Sequence, residues 1–296
     1  MSLDTRPPSP SETVQRWREY LRYPRLYLGF ARYCLIREMS FRVNFIARCI
    51  AEVAWLAVLV MFFHLIYLKT GRIGDWNQYE YLFFLGTGFI LNGLVDMLFI
   101  DNFTNMSELI RTGNLDFALL KPIDEQFLLS CQRIDWAVLP NLLLGAALLV
   151  VSCVNTGTAI TPDRVIVYMV LMSAGLAILY SLMLVMAGSS VWFVRNTGLY
   201  EAWFYVTQFS RYPAEIYGGN PLGLVLHFSL TFLLPILLAV NVPARYGMNM
   251  VSWPLAVYLL FAAAVALFSS RVFFSSRSNP IVAPAASVLW AALGKV

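Results

Sequence analysis

Residues 108–127, ELIRTGNLDFALLKPIDEQF, decide how this chain is read. The stretch mixes polar and apolar residues at helical spacing, carries Arg111, Asp116 and Lys121, and reaches a stop at Pro122. On each side lies sequence far more apolar than a water-soluble domain tolerates. Of 296 residues 59% are hydrophobic and only 13% charged, where a soluble domain holds about a quarter charged residues. The surplus apolar surface has to face lipid. The chain therefore reads as an all-α integral membrane protein, with 101–133 as its main polar hinge.

Working outward, residues 1–11 (MSLDTRPPSPS) read as a disordered start. Residues 12–42 alternate aromatic and aliphatic residues with arginines, the pattern of an amphipathic helix at the bilayer surface, where rings sit at headgroup depth and guanidinium groups meet anionic lipid. Pro24 is expected to break that helix into two pieces. Residues 1–42 hold eight arginines and no uninterrupted apolar core, so the first span is expected to act as its own insertion signal. Apolar runs long enough to cross a core of about 30 Å follow at 43–68, 79–100, 134–154, 165–194 and 246–270. Between the last two lie 199–217, interrupted by Arg211 and Pro213, and 221–242, with Pro235 in its middle. With both ends of the chain on one side, only one of these two crosses. The expectation is a crossing at 199–213 and a re-entrant hairpin at 218–245, marked by Pro235, Pro243 and Arg245, although hydropathy alone favours the reverse.

Charge counting orients the chain. With the N-terminus inside, the cytoplasmic side holds fifteen Lys and Arg residues against five outside (Lys69, Arg72, Arg164, Arg211 and Arg245). The positive-inside bias then predicts six crossings with both termini and a tail at 279–296 in the cytoplasm. The basic balance is accounted for by orientation, so no nucleic-acid partner is expected.

Few side chains offer chemistry. Cys34, Cys49, Cys131 and Cys153 are scattered without metal or disulfide spacing. His64 and His227 stand alone and read as hydrogen-bonded packing residues. Neither GxxxxGK[ST], GxSxG nor HExxH occurs, so the chain is expected to be no enzyme and to hold no ATP, metal or cofactor of its own. Charges inside the spans are more informative, since each costs roughly 2.5–3.5 kcal/mol or more unless paired or hydrated. Arg48 and Asp96 lie at matching depth on adjacent antiparallel spans and are expected to pair, with Glu52 one turn deeper and able to share Arg48. This cluster reads either as the polar inner mouth of a pathway or as a structural ion pair. Aromatics are dense in spans one, two and five (Trp55, Phe62, Phe63, Phe83, Phe84, Phe89, Trp203, Phe204 and Tyr205) and read first as ordinary lipid-facing and interfacial residues, with lining for an amphiphilic or planar substrate as the alternative.

Three stretches in order carry a family resemblance: IRTGNLDFALLKP in the hinge, VWFVRNTGLYEAWFYVTQFSRYPAEIY after the fourth span, and LTFLLPILLAVNVPARY before the last. Together they resemble the permease subunits of ATP-binding-cassette type-2 exporters, in the branch of uncharacterised and drug- or viologen-export permeases, over roughly Trp17 to Ser278. The resemblance implies an N-terminal interfacial helix, six spans in the plasma membrane, and a re-entrant hairpin between spans five and six. It also implies a second permease subunit, alike or different, and cytoplasmic ATPases that carry the ATP and Mg. The hinge would dock the ATPase, which assigns coupling to Glu108, Arg111, Asp116, Lys121 and Pro122, and transport would run by alternating access. The long Arg-rich start and the Pro-rich 279–284 depart from the family pattern. Two rivals belong to other classes: a secondary transporter driven by an ion gradient, and a membrane scaffold that transports nothing. The first needs ionisable residues at corresponding places in two repeats, whereas 136–162 and the fourth span carry none.

Overall fold

The computed structural model describes residues 22–114, 123–189, 199–250 and 252–272. Outside these lie the expected disordered start, the first part of the interfacial helix, Asp116, Lys121 and Pro122 of the hinge, the end of the fourth span and the tail at 279–296.

The described residues are helical and form no strand. α1 (Arg22–Ser40) meets α2 (Arg42–Tyr67) at Phe41. α3 (Gln78–Val95) passes through a π-turn (Asp96–Ile100) into α4 (Asp101–Thr112). After the hinge come α5 (Glu125–Cys131), a 3-10 turn (Trp136–Val138), α6 (Leu139–Thr156) and α7 (Pro162–Ser189). α8 (Leu199–Gln208) is followed by 3-10 turns at Phe209–Arg211 and Ala214–Gly218. α9 (Pro221–Phe228) runs through a second π-turn (Ser229–Leu233) to α10 (Ile236–Gly247), and α11 covers Trp253–Val272. Pro24 sits in the first described turn of α1, and the piece of the interfacial helix expected before it lies outside the described residues.

Among the described residues, five helices are long and apolar enough to cross a bilayer: 42–67, 78–106, 136–156, 162–188 and 253–272, with 20 to 29 residues each. A sixth arises if Pro221–Leu233 and Ile236–Gly247, bent by 85° across Leu234 and Pro235, count as one. Pro235 enforces that bend, since its ring removes the amide that would continue the upstream helix. α8 has ten residues and by itself covers about 15 Å, half of a bilayer core. Pro213 ends the helical run that follows it. The end of the bundle holding the α1–α2 junction and α4 is the hinge end below; the end holding 68–77, 157–161 and 212–220 is the loop end.

α3 and α7 form the centre. Across the most apolar stretch of each, 56% and 50% of residues are buried, against 11% for α2. α2 thus lies at the rim, leaving Val43, Ile46, Ile50, Val58 and Met61 exposed. Lipid is as apolar as those side chains, so association inside a bilayer depends on close packing rather than on hiding oil from water. Glycines supply it. A Cβ on Gly86 of α3 would lie 2.8 Å from the Gly145 carbonyl oxygen of α6, and one on Gly93 would meet Leu142 at 2.9 Å. α7 approaches α10 the same way, since a Cβ on Gly175 would fall 2.5 Å from the Ala239 carbonyl oxygen. That carbonyl faces Pro243 one turn on, which has no N–H to offer it. At the loop end, Tyr67, Trp76, Tyr81 and Phe84 pack ring on ring, and the Tyr67 hydroxyl donates to the Trp76 carbonyl at 3.1 Å. His64 is hydrogen-bonded as expected, its Nδ1 lying 2.8 Å from Gln78 Nε2.

Gly175→Ala is expected to force α7 away from α10 and to destabilise the fold by about 1–3 kcal/mol. Gly29→Ala in α1, whose Cβ meets nothing within 4 Å, should instead be neutral or stabilising by up to about 1 kcal/mol. Thermal unfolding of the two detergent-solubilised variants against the parent measures the contrast.

Candidate functional site

A cleft of about 330 Å³ opens between α2, α3 and the α8 region. α2 contributes Glu52 and Trp55; α3 and its π-turn contribute Phe84, Leu85, Gly88, Phe89, Asn92, Gly93 and Asp96. Asn141 of α6 closes the back, and Phe204, Ser210 and Arg211 close the side. From Phe84 to Asp96 the α3 wall rises about 18 Å, more than half of a bilayer core. Three charges share this space. Glu52 accepts a hydrogen bond from Asn141 Nδ2 at 2.7 Å. The Arg211 guanidinium lies 5.6 Å from the Trp55 ring centre and 5.9 Å from that of Phe204, both within cation–π range. Asp96 and Glu52 attract that guanidinium and repel each other. One cation set among two carboxylates offsets part of what it costs to keep them out of water.

The expected Arg48–Asp96 pair does not form. Arg48 donates to the Asp135 carboxylate, and Asp96 turns to the cleft. The reason lies in the π-turn. Its wider hydrogen-bond ring breaks the regular ladder at 96–100, and the Met97 carbonyl accepts instead from the Asp135 amide at 2.9 Å. Asn102 fastens the same strap. It donates to the Arg133 carbonyl at 2.7 Å and accepts from the Arg133 amide at 2.8 Å. Asp135 is thereby held under α2 and also caps the 3-10 turn, accepting from the Ala137 amide at 3.0 Å. Glu52 likewise turns away from Arg48 to Asn141, so Arg48 and Glu52 of lower α2 reach the same stretch, 135–141.

Residues missed in the sequence are Asp135, Glu38 and Arg211. An Asp directly before an apolar helix is a capping signal that could have singled out Asp135. Glu38 of α1 accepts from the Trp136 amide at 3.1 Å, while Trp136 Nε1 donates to the Ala31 carbonyl at 3.1 Å. Nothing local marks Arg211 as a cleft residue.

At the hinge, Glu108 is exposed on α4, and the backbone of Arg111 lies in the last turn. α4 ends at Gly113, φ +72°, with the Asn114 amide donating back to the Leu109 carbonyl at 3.0 Å. That is a Schellman closure, and glycine is the residue that enters the left-handed region without strain. α5 restarts on Asp124, whose side chain accepts from the Phe127 amide at 2.9 Å. At the loop end Arg245 bridges Asp75 at 2.7 Å and Glu215 at 2.8 Å, while Trp76 Nε1 donates to Glu215 at 3.4 Å. Arg245 thus clamps the end of α10 to both neighbouring loops. Pro243 lies buried within α10.

Arg211→Ala should strand both carboxylates and destabilise the fold by roughly 2–3 kcal/mol, and Asp96→Asn in that background should recover part of the loss. Thermal unfolding of the two single variants and the double variant reads the coupling. Burial lifts the Glu38 carboxyl above its usual range, outweighing the bond from Trp136. Ionising it therefore costs stability that is intact at low pH and lost as pH rises through the raised value. Glu38→Gln keeps an acceptor for Trp136, so its melting temperature relative to the parent should shift upward between about pH 4 and pH 7; a difference flat across that range contradicts the burial effect.

A membrane-crossing helical bundle, a polar cleft beside its rim helix and a capped polar hinge are what a transport subunit requires. No curated protein and no solved structure matches the chain. A family model described as "ABC-2 family transporter protein" matches residues 53–278, from the middle of α2 to just beyond α11. The match spans three quarters of the sequence and includes the hinge and all of the cleft lining except Glu52, and the chain belongs to the ABC-2 transporter family as a multi-pass membrane component of an ABC transporter.

Proposed function

We propose that the chain is the permease subunit of an exporter in the plasma membrane, paired with a second permease and driven by separate cytoplasmic ATPases that bind ATP and Mg. The observation that carries this reading is the hinge. α3 leads through the π-turn at 96–100 into a polar α4 that ends in a glycine cap, so the hinge is connected to the cleft wall. In this reading the hinge end faces the cytoplasm, as the Lys and Arg bias favours. The ATPase docks on 101–133 through Glu108, Arg111, Asp116, Lys121 and Pro122, and its closure opens the cleft outward. α1 lies along the inner leaflet, with Leu28, Tyr33 and Ile36 exposed beside Arg32 and Arg37. The bent pair around Pro235 dips into the membrane and returns, its broken backbone sheltered by protein.

Asp116→Arg is expected to abolish permease-stimulated ATP hydrolysis while membrane insertion stays at the parental level; parental stimulation in that variant removes the docking role. Co-purification of a cassette ATPase with the chain separates this function from a scaffold, which would bring none down. Liposomes holding the chain alone under a proton or sodium gradient separate it from a secondary transporter, because full transport there requires no ATPase.

A further inference from the structure

We propose that Asp135 is the joint through which movement of the hinge reaches the cleft, acting as a positioning residue on Arg48. The proposal rests on the ATPase-driven reading above. Segment 132–135 is fastened to the helix that emerges from the hinge at two places: its Asp135 amide on the Met97 carbonyl, and its Arg133 backbone on the Asn102 side chain. A displacement of α4 therefore moves this segment with it. The π-turn sits between α4 and α3 and lacks the regular ladder, so α4 can tilt there without dragging all of α3.

From this segment the contacts pass to the rim helix. The lower half of α2 makes three polar contacts recorded among the described residues, and all go to 135–141. Arg48 donates to Asp135, Cys49 Sγ lies 3.8 Å from the Ala137 carbonyl, and Glu52 accepts from Asn141. α2 otherwise buries little of itself, so a shift of 135–141 is transferred to Glu52 and Trp55, which form one wall of the cleft. The thiol contact is weak, and the Asn141 bond lies a full turn deeper. The charged bond from Asp135 to Arg48 is the strong link nearest the hinge.

Asp135→Asn tests this with the fold retained, because Asn caps a helical turn as well as Asp but cannot form the ion pair. The full chain carries Gly88→Cys in the cleft, where a Cβ has ordinary contact at 3.6 Å, and is assembled with its ATPase. Maleimide labelling of the peptide containing residue 88 is followed by mass spectrometry, with and without vanadate-trapped nucleotide. The parent should change its labelling rate by about threefold or more on trapping, a population shift large enough to read. In Asp135→Asn that ratio should collapse towards one while ATPase co-purification, stimulated hydrolysis and melting temperature stay near parental values. Arg48→Gln should behave in the same way and stands in if Asp135→Asn does not assemble. A parental ratio in both variants overturns the joint. Parallel loss of the ratio, of hydrolysis and of thermal stability also overturns it, in favour of a purely structural contact. A parent complex with no nucleotide response defeats the ATPase-driven reading itself, and the joint with it.

Discussion

One backbone carbonyl organises the hinge end. In a bilayer every peptide group needs a partner within the protein, because no water is at hand to supply one. The π-turn at 96–100 interrupts the helical ladder, and the Met97 carbonyl accepts a hydrogen bond from the Asp135 amide. To deliver that amide, the chain leaving the hinge folds back across α3, and its side chains then have fixed addresses. Asp135 faces Arg48, Trp136 reaches Glu38 and Ala31, and Arg133 is held by Asn102. α1, α2, α3 and the segment leading into α6 are joined at one point by polar bonds set beside an apolar cluster of Cys34, Met97, Ile134 and Val138. A polar junction of this kind is directional, so it keeps one register where lipid-like side chains would slide.

The rest of the framework depends on how closely backbones approach. Gly86, Gly93 and Gly145 let α3 and α6 pack almost main chain to main chain, and Gly175 does so for α7 against α10. Close approach multiplies dispersion contacts, which is the attraction left when surrounding lipid offers no hydrophobic drive. At the loop end the salt bridges of Arg245 to Asp75 and Glu215 seal the bundle where water is near. The two ends are thus locked by different means, with the glycine-packed core between them.

Between these locks α2 is the loosely held element. Its outer face is exposed, its lower half hangs on the Asp135 junction, and its inner face forms the cleft with Glu52 and Trp55. Glu52, Asp96 and Arg211 remain in this cleft although each would be better solvated outside the membrane. They come from three separated parts of the sequence and partly neutralise one another. The proposed transport function uses this partly polar cleft and the loosely held helix beside it.

The sequence alone determined the class of protein, the five long spans, the polar hinge and the polar character of Arg48, Glu52 and Asp96. These follow from local properties: runs of apolar residues set helix length, and charged residues declare themselves wherever they stand. Tertiary structure alone decided the partners. Arg48 meets Asp135 rather than Asp96 because a π-turn redirects the helix and frees a carbonyl, and neither event has a signature in residue spacing. Arg211 joins the cleft across more than a hundred residues of chain, at a distance where periodicity carries no information and only the packing of separate helices decides which charges meet.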